Sequence, residues 1–238
     1  MSSQNTEKKG ISIILSTYNE ELFIEETLKN IIKTFPECEI VIVDDASKDR
    51  TVNIIKQLNI KNVKLFERKN RGLASAFLLG LINSSKEIVG WIDSNQGKLI
   101  SNYPEMINNL DSNDIVLLSR YAEGGLDKRS KKRVSTSKII NKLCRIILGN
   151  SIKDYTSGMF VMKRSVLNQA IPIAYGHGEF FIEFIYKIKK NNLKIKEVPY
   201  TQEPDHEGMS KTASNIFRFI SLGADYIIRV FIALIRKN

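Results

Sequence analysis

The strongest constraint on the fold is a regular alternation of short β-branched runs and helical stretches in the first half of the chain. Residues 11–15, 39–43, 63–66 and 88–92 are runs typical of buried strands. Between them, residues 20–34, 49–58 and 73–84 carry apolar side chains at helical spacing. This βαβαβαβ order predicts an α/β fold with a mostly parallel central sheet, right-handed crossovers and helices on both faces. Residues 115–118 are expected to add another strand.

The basic surplus of the chain narrows the class of partner. Lysine and arginine number 36 against 26 aspartate and glutamate, a net charge of +10 among 238 residues. Such a surplus favours nucleic acid, an anionic membrane or a phosphate-rich substrate. Nucleic acid is disfavoured because the chain has no aromatic and basic surface motif and no recognised module. Two cysteines and two histidines form no disulfide framework or zinc spacing, and the polar N-terminus lacks a signal peptide, so a cytoplasmic location is expected.

Polar clusters follow three of the predicted strands, where ligands bind in sheets of this kind. They are Ser16 to Glu20 after the first strand, Asp44 and Asp45 after the second, and Asp93 to Gln96 after the fourth. Neither a dinucleotide fingerprint nor a P-loop is present, so no glycine-rich backbone is available to hold phosphates. Acidic and amide oxygens suit Mg²⁺ or Mn²⁺, which can bridge a pyrophosphate to the protein. Helix capping by Ser47 or Asp49 is the alternative explanation for part of the second cluster.

A basic segment lies between Gly124-Gly125 and a helix expected to open near residues 135–137. It contains Lys128, Arg129, Lys131, Lys132 and Arg133. A charge run of this kind is either a solvated loop or an anion-binding loop. Its place just before a helix favours the second interpretation.

Ordered motifs over residues 11–211 resemble the inverting glycosyltransferases of family 2, which have the GT-A fold, and most closely the dolichol-phosphate mannosyltransferase-like branch. Residues 13–20, IILSTYNE, resemble the opening motif of the family, and residues 40–51, IVIVDDASKDRT, resemble its VVDDGSxDxT motif. The remaining motifs follow in the family's order: NRGLASA (70–76), DSNQ (93–96), SRY (119–121), GG (124–125), DYTSGMF (154–160), GEFFIE (178–183), EVPY (197–200) and GMSK (208–211).

The resemblance implies a GDP- or UDP-sugar donor, a polyprenyl (dolichyl or undecaprenyl) phosphate acceptor and a role for each matched residue. The nucleotide sugar would be held by Ser16, Tyr18, Glu20, Asp44, Asp45, Asp93 and Ser94. The metal would be held by Asp93, Asn95 and Gln96, and the acceptor phosphate by Arg120, Arg133 and Ser137. Asn95 stands where relatives carry a second acid, so metal affinity should fall. Asp205, beside His206, stands where the family has arginine.

The chemistry implied by the resemblance assigns catalysis to Asp93, Arg120 and Asp154. A metal and arginines can stabilise the leaving pyrophosphate. A polyprenyl phosphate is already an anionic nucleophile, whereas a hydroxyl acceptor in cell-surface glycan synthesis needs a base, for which Asp154 and Glu183 are the candidates. A third interpretation, raised by Asn95, is a sugar-nucleotide-binding protein without catalytic activity.

The end of the chain is expected to form an appendage. The predicted organisation is a polar tail over residues 1–10, a catalytic domain over 11–211 and an amphipathic helix over 212–238. The apolar stretch is interrupted by Arg218, Asp225 and Arg229, which makes the helix a poor membrane span. These residues and Arg236 fall on one stripe of the helix. Its wide apolar face is expected either to pack on the catalytic domain or on a twin subunit, or to lie in the membrane interface. The second alternative predicts a peripheral protein at the inner face of the membrane.

Overall fold

The computed structural model describes residues 10–69, 72–204 and 216–236. Within these ranges the chain forms, in order, β1 (Ile11–Thr17), α1 (Ile24–Thr34), β2 (Glu39–Asp44), α2 (Thr51–Gln57), β3 (Val63–Glu67), α3 (Leu73–Asn83), β4 (Ile88–Trp91), α4 (Tyr103–Asn109), β5 (Ile115–Ser119), β6 (Leu126–Asp127), α5 (Lys131–Leu148), β7 (Phe160–Lys163), α6 (Phe180–Lys190), β8 (Ile195–Pro199), β9 (Thr201–Gln202) and α7 (Ile216–Ile235). Two short 3₁₀ helices cover Gly97–Asn102 and Arg164–Asn168.

Seven strands form one sheet in the order β3-β2-β1-β4-β7-β5-β8. The predicted α/β class is confirmed, since β1 pairs in parallel with both β2 and β4, and β2 with β3. Strand β7, which the strand pattern did not predict, runs antiparallel between β4 and β5. The short strands β6 and β9 form a separate parallel pair. The sheet is therefore mostly parallel, with one reversed strand near its centre.

The sheet separates two apolar cores because successive side chains of a strand point to opposite faces. Ile14 of β1 packs into the core under α3, α5, α6 and α7, whereas Ile13 and Leu15 pack into the core under α1, α2 and α4. Strands β2, β4 and β5 are buried along their whole length. Burial on both faces explains why these strands appear in the sequence as continuous apolar runs.

Helices α1 and α5 each begin about one turn away from the expected position. Helix α1 starts at Ile24, so residues 20–23 form a turn before it instead of its first turn. Helix α5 starts at Lys131, several residues before the expected opening at 135–137, and its first turn includes Lys131, Lys132 and Arg133. The interpretation of the basic segment as one loop is therefore corrected. Its first residues are ion-paired, since Arg129 lies 2.6 Å from Asp127 and Lys128 lies 2.9 Å from Glu203.

Helix α7 packs against α5 and α6. Val230 and Ala233 of this helix are buried in the core that α5 and α6 share. Among the helices described, none combines the length and the apolar character that crossing a membrane requires.

Candidate functional site

The carboxyl ends of the parallel strands bring the three predicted polar clusters to one edge of the sheet. Thr17 at the end of β1 is in register with Asp44 at the end of β2, and Ile14 of β1 is in register with Trp91 at the end of β4. Asp93, two residues beyond Trp91, therefore lies at the same edge. This is the edge at which α/β sheets bind ligands.

Asp44 builds the turn after β2. Its carboxylate accepts hydrogen bonds from Thr17 Oγ1 at 2.7 Å, Ser47 N at 2.8 Å and Ser47 Oγ at 2.6 Å. These bonds enclose Ala46, which has a left-handed φ of 62°. Asp44 is only 1% exposed, and both of its carboxylate oxygens are engaged within the turn.

Asp45 holds the start of α3 against the strand ends. Its carboxylate accepts a 2.5 Å hydrogen bond from Arg68 Nε and a 3.1 Å bond from Gly72 N. Arg68 also donates to the carbonyl of Gly72 at 3.1 Å. The sequence reasoning missed Arg68, although a basic residue directly after β3 could have indicated it, since that position lies at the same edge.

The turn after β1 is tied to the turn after β2. Asn19 has a φ of 53°, and its backbone N–H donates to Ser47 Oγ at 2.9 Å. The backbone N–H of Glu20 donates to Thr51 Oγ1 at 2.7 Å. Asp49 accepts from the backbone N–H of Thr51 at 3.0 Å, although the N-cap residue of α2 is Arg50 and makes no side-chain capping bond. Ser16 is half-buried and Tyr18 is 38% exposed, so both line the rim of the edge.

Asp93 is the carboxyl group with the most perturbed environment at this edge. Burial and the neighbouring charge of Glu20 raise its pKa to about 6, against the opposing effect of a hydrogen bond from Trp91. Its loop is anchored by Thr27 of α1, whose hydroxyl donates to Ser94 O at 2.7 Å. A cation bound near Asp93 would offset the effect of this neighbouring negative charge.

The residues around Asp93 fit a divalent ion that is shared with a substrate. No group of three histidine, cysteine or acidic side chains converges within the described residues, so the chain supplies no complete metal cage there. Mg²⁺ is ordinarily held by one or two carboxylates together with substrate phosphates and water. Asp93 provides such a carboxylate, and the exposed Asn95 and half-buried Gln96 follow it with amide oxygens.

A buried ion pair dominates the other side of the edge. Arg120, which is 5% exposed, donates to Asp154 through Nε at 2.8 Å, through Nη2 at 2.7 Å and through its backbone N–H at 3.0 Å. Arg120 Nη2 also donates to Thr156 Oγ1 at 2.8 Å, and Asn141 of α5 donates to the same hydroxyl at 2.8 Å. Asp154 has no exposed surface. The two predicted catalytic residues are therefore brought together, but they engage each other.

The other predicted acceptor residues lie on α5. Ser137 Oγ is 3.5 Å from Thr156 Oγ1, which joins it to the Arg120 network. Arg133 lies in the first turn of the helix and is half-buried. The predicted positions Asp205 and His206, and the motifs at 70–71 and 208–211, lie outside the described residues.

Glu183, the second candidate base, lies inside an ionic cluster on α6. Its carboxylate is 3.1 Å from Arg229 Nη1 and 2.7 Å from Arg236 Nη1, both on α7. Glu183 is 6% exposed. Both candidate bases therefore have arginine partners in the folded protein.

Three further residues belong to the site, and the sequence reasoning did not single them out. The pKa values of Tyr200 and Tyr226 are raised, mainly by burial, and both hydroxyls also respond to the charges of Asp93 and Arg120. Ser157 Oγ is buried without a hydrogen-bond partner among the described residues, so it is available to a ligand. These roles depend on contacts between distant segments, which strand and helix periodicity does not indicate.

Comparison with known proteins gives a family match and two kinds of relative. Residues 12–170 match the family model "Glycosyl transferase family 2". Over 98 residues the chain is 36% identical to the poly-β-1,6-N-acetyl-D-glucosamine synthase of Staphylococcus epidermidis, which is 39% of this chain and 23% of that protein. Over 92 residues it is 34% identical to the synthase of the same name from Staphylococcus aureus, covering 37% of this chain and 22% of that protein. The chain thus spans less than a quarter of the length of these curated relatives.

Among solved structures, the fold is similar to glucosyl-3-phosphoglycerate synthase from Mycobacterium tuberculosis. The complex of that enzyme with Mn²⁺, UDP and phosphoglyceric acid superposes with a TM-score of 0.73 at 18% identity, covering 97% of this chain and 80% of the other. Its complex with Mg²⁺ and UDP gives a TM-score of 0.71 at 18% identity, covering 97% of this chain and 81% of the other. The likeness confirms the GT-A architecture with the C-terminal helix α7.

Proposed function

Because the chain belongs to glycosyl transferase family 2, we propose that it transfers a sugar from a nucleoside-diphosphate sugar to a polyprenyl phosphate at a membrane face, as in the dolichol-phosphate mannosyltransferase-like branch. The observation that carries the choice of acceptor is the pairing of both candidate bases, Asp154 and Glu183, with arginines. A hydroxyl acceptor needs a free base within hydrogen-bond reach. A lipid phosphate is already ionised and needs none.

The donor would lie along the edge formed by the ends of β1, β2 and β4. Ser16, Tyr18, Glu20 and Asp45 are the proposed contacts of the base and ribose, and Asp44 holds the turn that presents Asp45. The donor nucleotide is UDP or GDP, and the UDP complexes of the structural neighbour support the first. Ser94 lies in the anchored loop beside Asp93, where the diphosphate would follow.

Asp93 would hold a divalent ion, Mg²⁺ or Mn²⁺, with the amide oxygens of Asn95 and Gln96 near it. The raised pKa of Asp93, to which the charge of Glu20 contributes, supports this assignment, as do the Mn²⁺ and Mg²⁺ complexes of the structural neighbour. When bound, such an ion neutralises charge that develops on the leaving diphosphate. The hydrogen bond from Thr27 to Ser94 would fix the loop that carries Asp93, and Arg120 would supply positive charge for the phosphates.

In the transfer step a phosphate oxygen of the acceptor forms a bond to the anomeric carbon while the bond from that carbon to the diphosphate breaks. The configuration is inverted, and the nucleoside diphosphate leaves with the electron pair. Asp154 would act by orienting Arg120, whose Nη1, 3.9 Å from Asp127, is the donor atom not engaged by Asp154. Arg133 and Ser137 are the other proposed contacts of the acceptor phosphate.

The direct test is incubation of the purified protein with UDP- and GDP-sugars, Mn²⁺ or Mg²⁺ and polyprenyl phosphate, with detection of the glycosylated lipid. We expect metal-dependent product with one donor and its loss in Asp93→Asn. Asp111→Asn, the same change at an exposed position, is the control and should keep full activity. The absence of both transfer and donor hydrolysis with every donor would overturn the proposal.

A second candidate function is transfer to a hydroxyl acceptor in glycan synthesis. It is favoured by the curated relatives, whose names describe polymer synthases. It requires Glu183 or Asp154 to leave its arginine partner when the acceptor binds. Incorporation of sugar into an oligosaccharide with none into polyprenyl phosphate would select this function.

A sugar-nucleotide-binding protein without activity is the remaining alternative, because Asn95 replaces a carboxylate that relatives carry. Restoring it with Asn95→Asp separates the two cases. A large gain in metal-dependent turnover from a nearly silent parent would support the binding protein, whereas an active parent with a modest gain supports the enzyme.

A further inference from the structure

Helix α7 contacts the rest of the protein through charged residues as well as through the buried Val230 and Ala233. Arg229 is 7% exposed, and its guanidinium lies 3.1 Å from Glu183 and 3.8 Å from Glu179. Arg236 adds a 2.7 Å contact with Glu183. The polar stripe that the sequence places on one side of the helix is therefore turned toward α6 over residues 229–236.

The opposite side of α7 is apolar and exposed. Six large side chains there are between 38% and 79% exposed: Ile227, Ile228, Phe231, Ile232, Leu234 and Ile235. At 100° per residue they cover an unbroken arc of roughly 160°. Contiguous exposed apolar surface of this kind marks an interaction site. Apart from Val230 and Ala233, residues 227–236 turn their charges toward the protein and their apolar side chains outward, which is the reverse of an ordinary surface helix.

Helix α5, which packs beside α7, combines apolar and basic residues on its outer face. Ile139 and Ile146 are 68% and 72% exposed. The helix carries six basic residues and no acidic one. Lys138, Lys142 and Arg145 line a groove of about 660 Å³ together with Lys153. None of these four cations pairs with a carboxylate among the described residues.

We propose that the outer faces of α5 and α7 dock on an anionic lipid bilayer. The apolar arc of α7, with Ile139 and Ile146, enters the interfacial layer, and the cations of the groove bind the phosphates of lipid headgroups. A bilayer supplies both the apolar surface and the negative charge that this face requires. The inference deepens the proposed function, on which it rests for the presence of a lipid acceptor.

A second copy of the chain fits this face less well than a membrane does. Most homodimers are two-fold symmetric, so the same patch of both subunits would meet. Such a contact would bring two rows of α5 cations together, although neither row has an acidic residue to offset the other. Like charges facing each other across an interface oppose association.

The test is flotation of the full chain with vesicles of phosphatidylcholine, alone or mixed with phosphatidylglycerol, without nucleotide or acceptor. We expect binding that requires phosphatidylglycerol and falls at least about tenfold in Phe231→Asp, since a charge cannot enter the interfacial layer cheaply. The double variant Lys142→Glu/Arg145→Glu should lose the preference for phosphatidylglycerol.

Two matched controls make the same changes elsewhere. Ile82→Asp alters an isoleucine that is 72% exposed on α3, and Lys33→Glu/Lys61→Glu reverses two exposed charges near the helices on the other face of the sheet. Both should float like the parent protein. Circular dichroism of each variant checks that the fold is retained.

Three outcomes would overturn the docking surface. These are no flotation of the parent with phosphatidylglycerol, parental flotation of Phe231→Asp, and a dimer in sedimentation that Phe231→Asp dissolves without any vesicle binding. Transfer is measured separately in detergent with solubilised polyprenyl phosphate. A protein that transfers sugar but does not float contradicts only the docking surface, and one that floats but transfers nothing contradicts only the proposed function.

Discussion

The proposed donor edge, at the ends of β1, β2 and β4, and the proposed acceptor side, around Arg120 and α6, differ in the donors that their carboxylates engage. At the donor edge, Asp44 and Asp49 accept hydrogen bonds from hydroxyl and backbone N–H groups, and Asp45 pairs with Arg68. On the acceptor side, the carboxylates of both candidate bases pair with arginines. Arg120 pairs with Asp154, and Glu183 pairs with Arg229.

This difference separates carboxylates that could contact a ligand from carboxylates that hold an arginine in position. Asp44 holds its turn through neutral donors, and Asp93 lies at the same edge of the sheet. A buried ion pair commits both partners to each other, because breaking it leaves an uncompensated charge in the interior. Under the proposed function, the acceptor side would therefore rely on arginines that are positioned by carboxylates, instead of on carboxylates that act as bases.

The largest expected effect comes from Asp154→Asn. The change leaves the buried guanidinium of Arg120 without a counter-charge, and we expect the free energy of unfolding to fall by about 3 to 5 kcal/mol. Urea denaturation of both proteins measures the difference. The double variant Arg120→Met/Asp154→Leu should recover much of the lost stability, since the buried charge is removed together with its partner.

The exposed Asp111 supplies the control for this prediction. Asp111→Asn should change stability by no more than about 0.5 kcal/mol. If Asp154→Asn kept the stability of the parent but lost transfer to a hydroxyl acceptor, Asp154 would act as a base, and the contrast between the two sides would fail.

The same contrast explains what the sequence could predict. Strands β1 to β5 and the strand-end clusters follow from local periodicity, and the structure places them as expected. Strand β7 was not predicted, and its partners lie in β4 and β5, far along the chain. The ion pair of Arg120 and the inward direction of Arg229 also depend on long-range packing. Helical periodicity grouped the charges of α7 on one stripe but contained no information on which stripe faces the protein.

A smaller effect concerns Glu39, which begins β2 and lies at the opposite end of that strand from Asp44. Burial opposes the charge of Glu39, but hydrogen bonds from Lys64, Ser12 and Ser85 outweigh it and lower the pKa to about 2. Because the pKa is lower in the folded protein, the stabilisation is complete above the unfolded value of 4.5 and is lost as the pH falls toward 2. The shift corresponds to about 3 kcal/mol at neutral pH.

Unfolding measurements on Glu39→Gln at several pH values check this prediction. The difference in stability from the parent should be largest near pH 6 and should shrink steadily toward pH 3. Glu105→Gln, a change at an exposed residue of α4, should show little difference at any pH. A deficit of Glu39→Gln that stays constant over this range would mean that packing, not charge, makes Glu39 stabilising.

The smallest expected effect concerns the turn that Asp44 closes. Ala46 has a φ of 62°, a left-handed conformation that costs a residue with a side chain roughly 1 to 2 kcal/mol. Glycine adopts it freely but loses more chain entropy on folding, so we expect Ala46→Gly to stabilise the protein by up to about 1 kcal/mol. For a chain of this length that corresponds to a rise in melting temperature of about 2 to 4 °C.

Ala122→Gly, at a turn residue without a positive φ, should change stability in the opposite direction. A loss of stability in Ala46→Gly would show that the methyl group of Ala46 makes a packing contribution larger than its backbone cost, and the turn would then depend on more than the hydrogen bonds of Asp44.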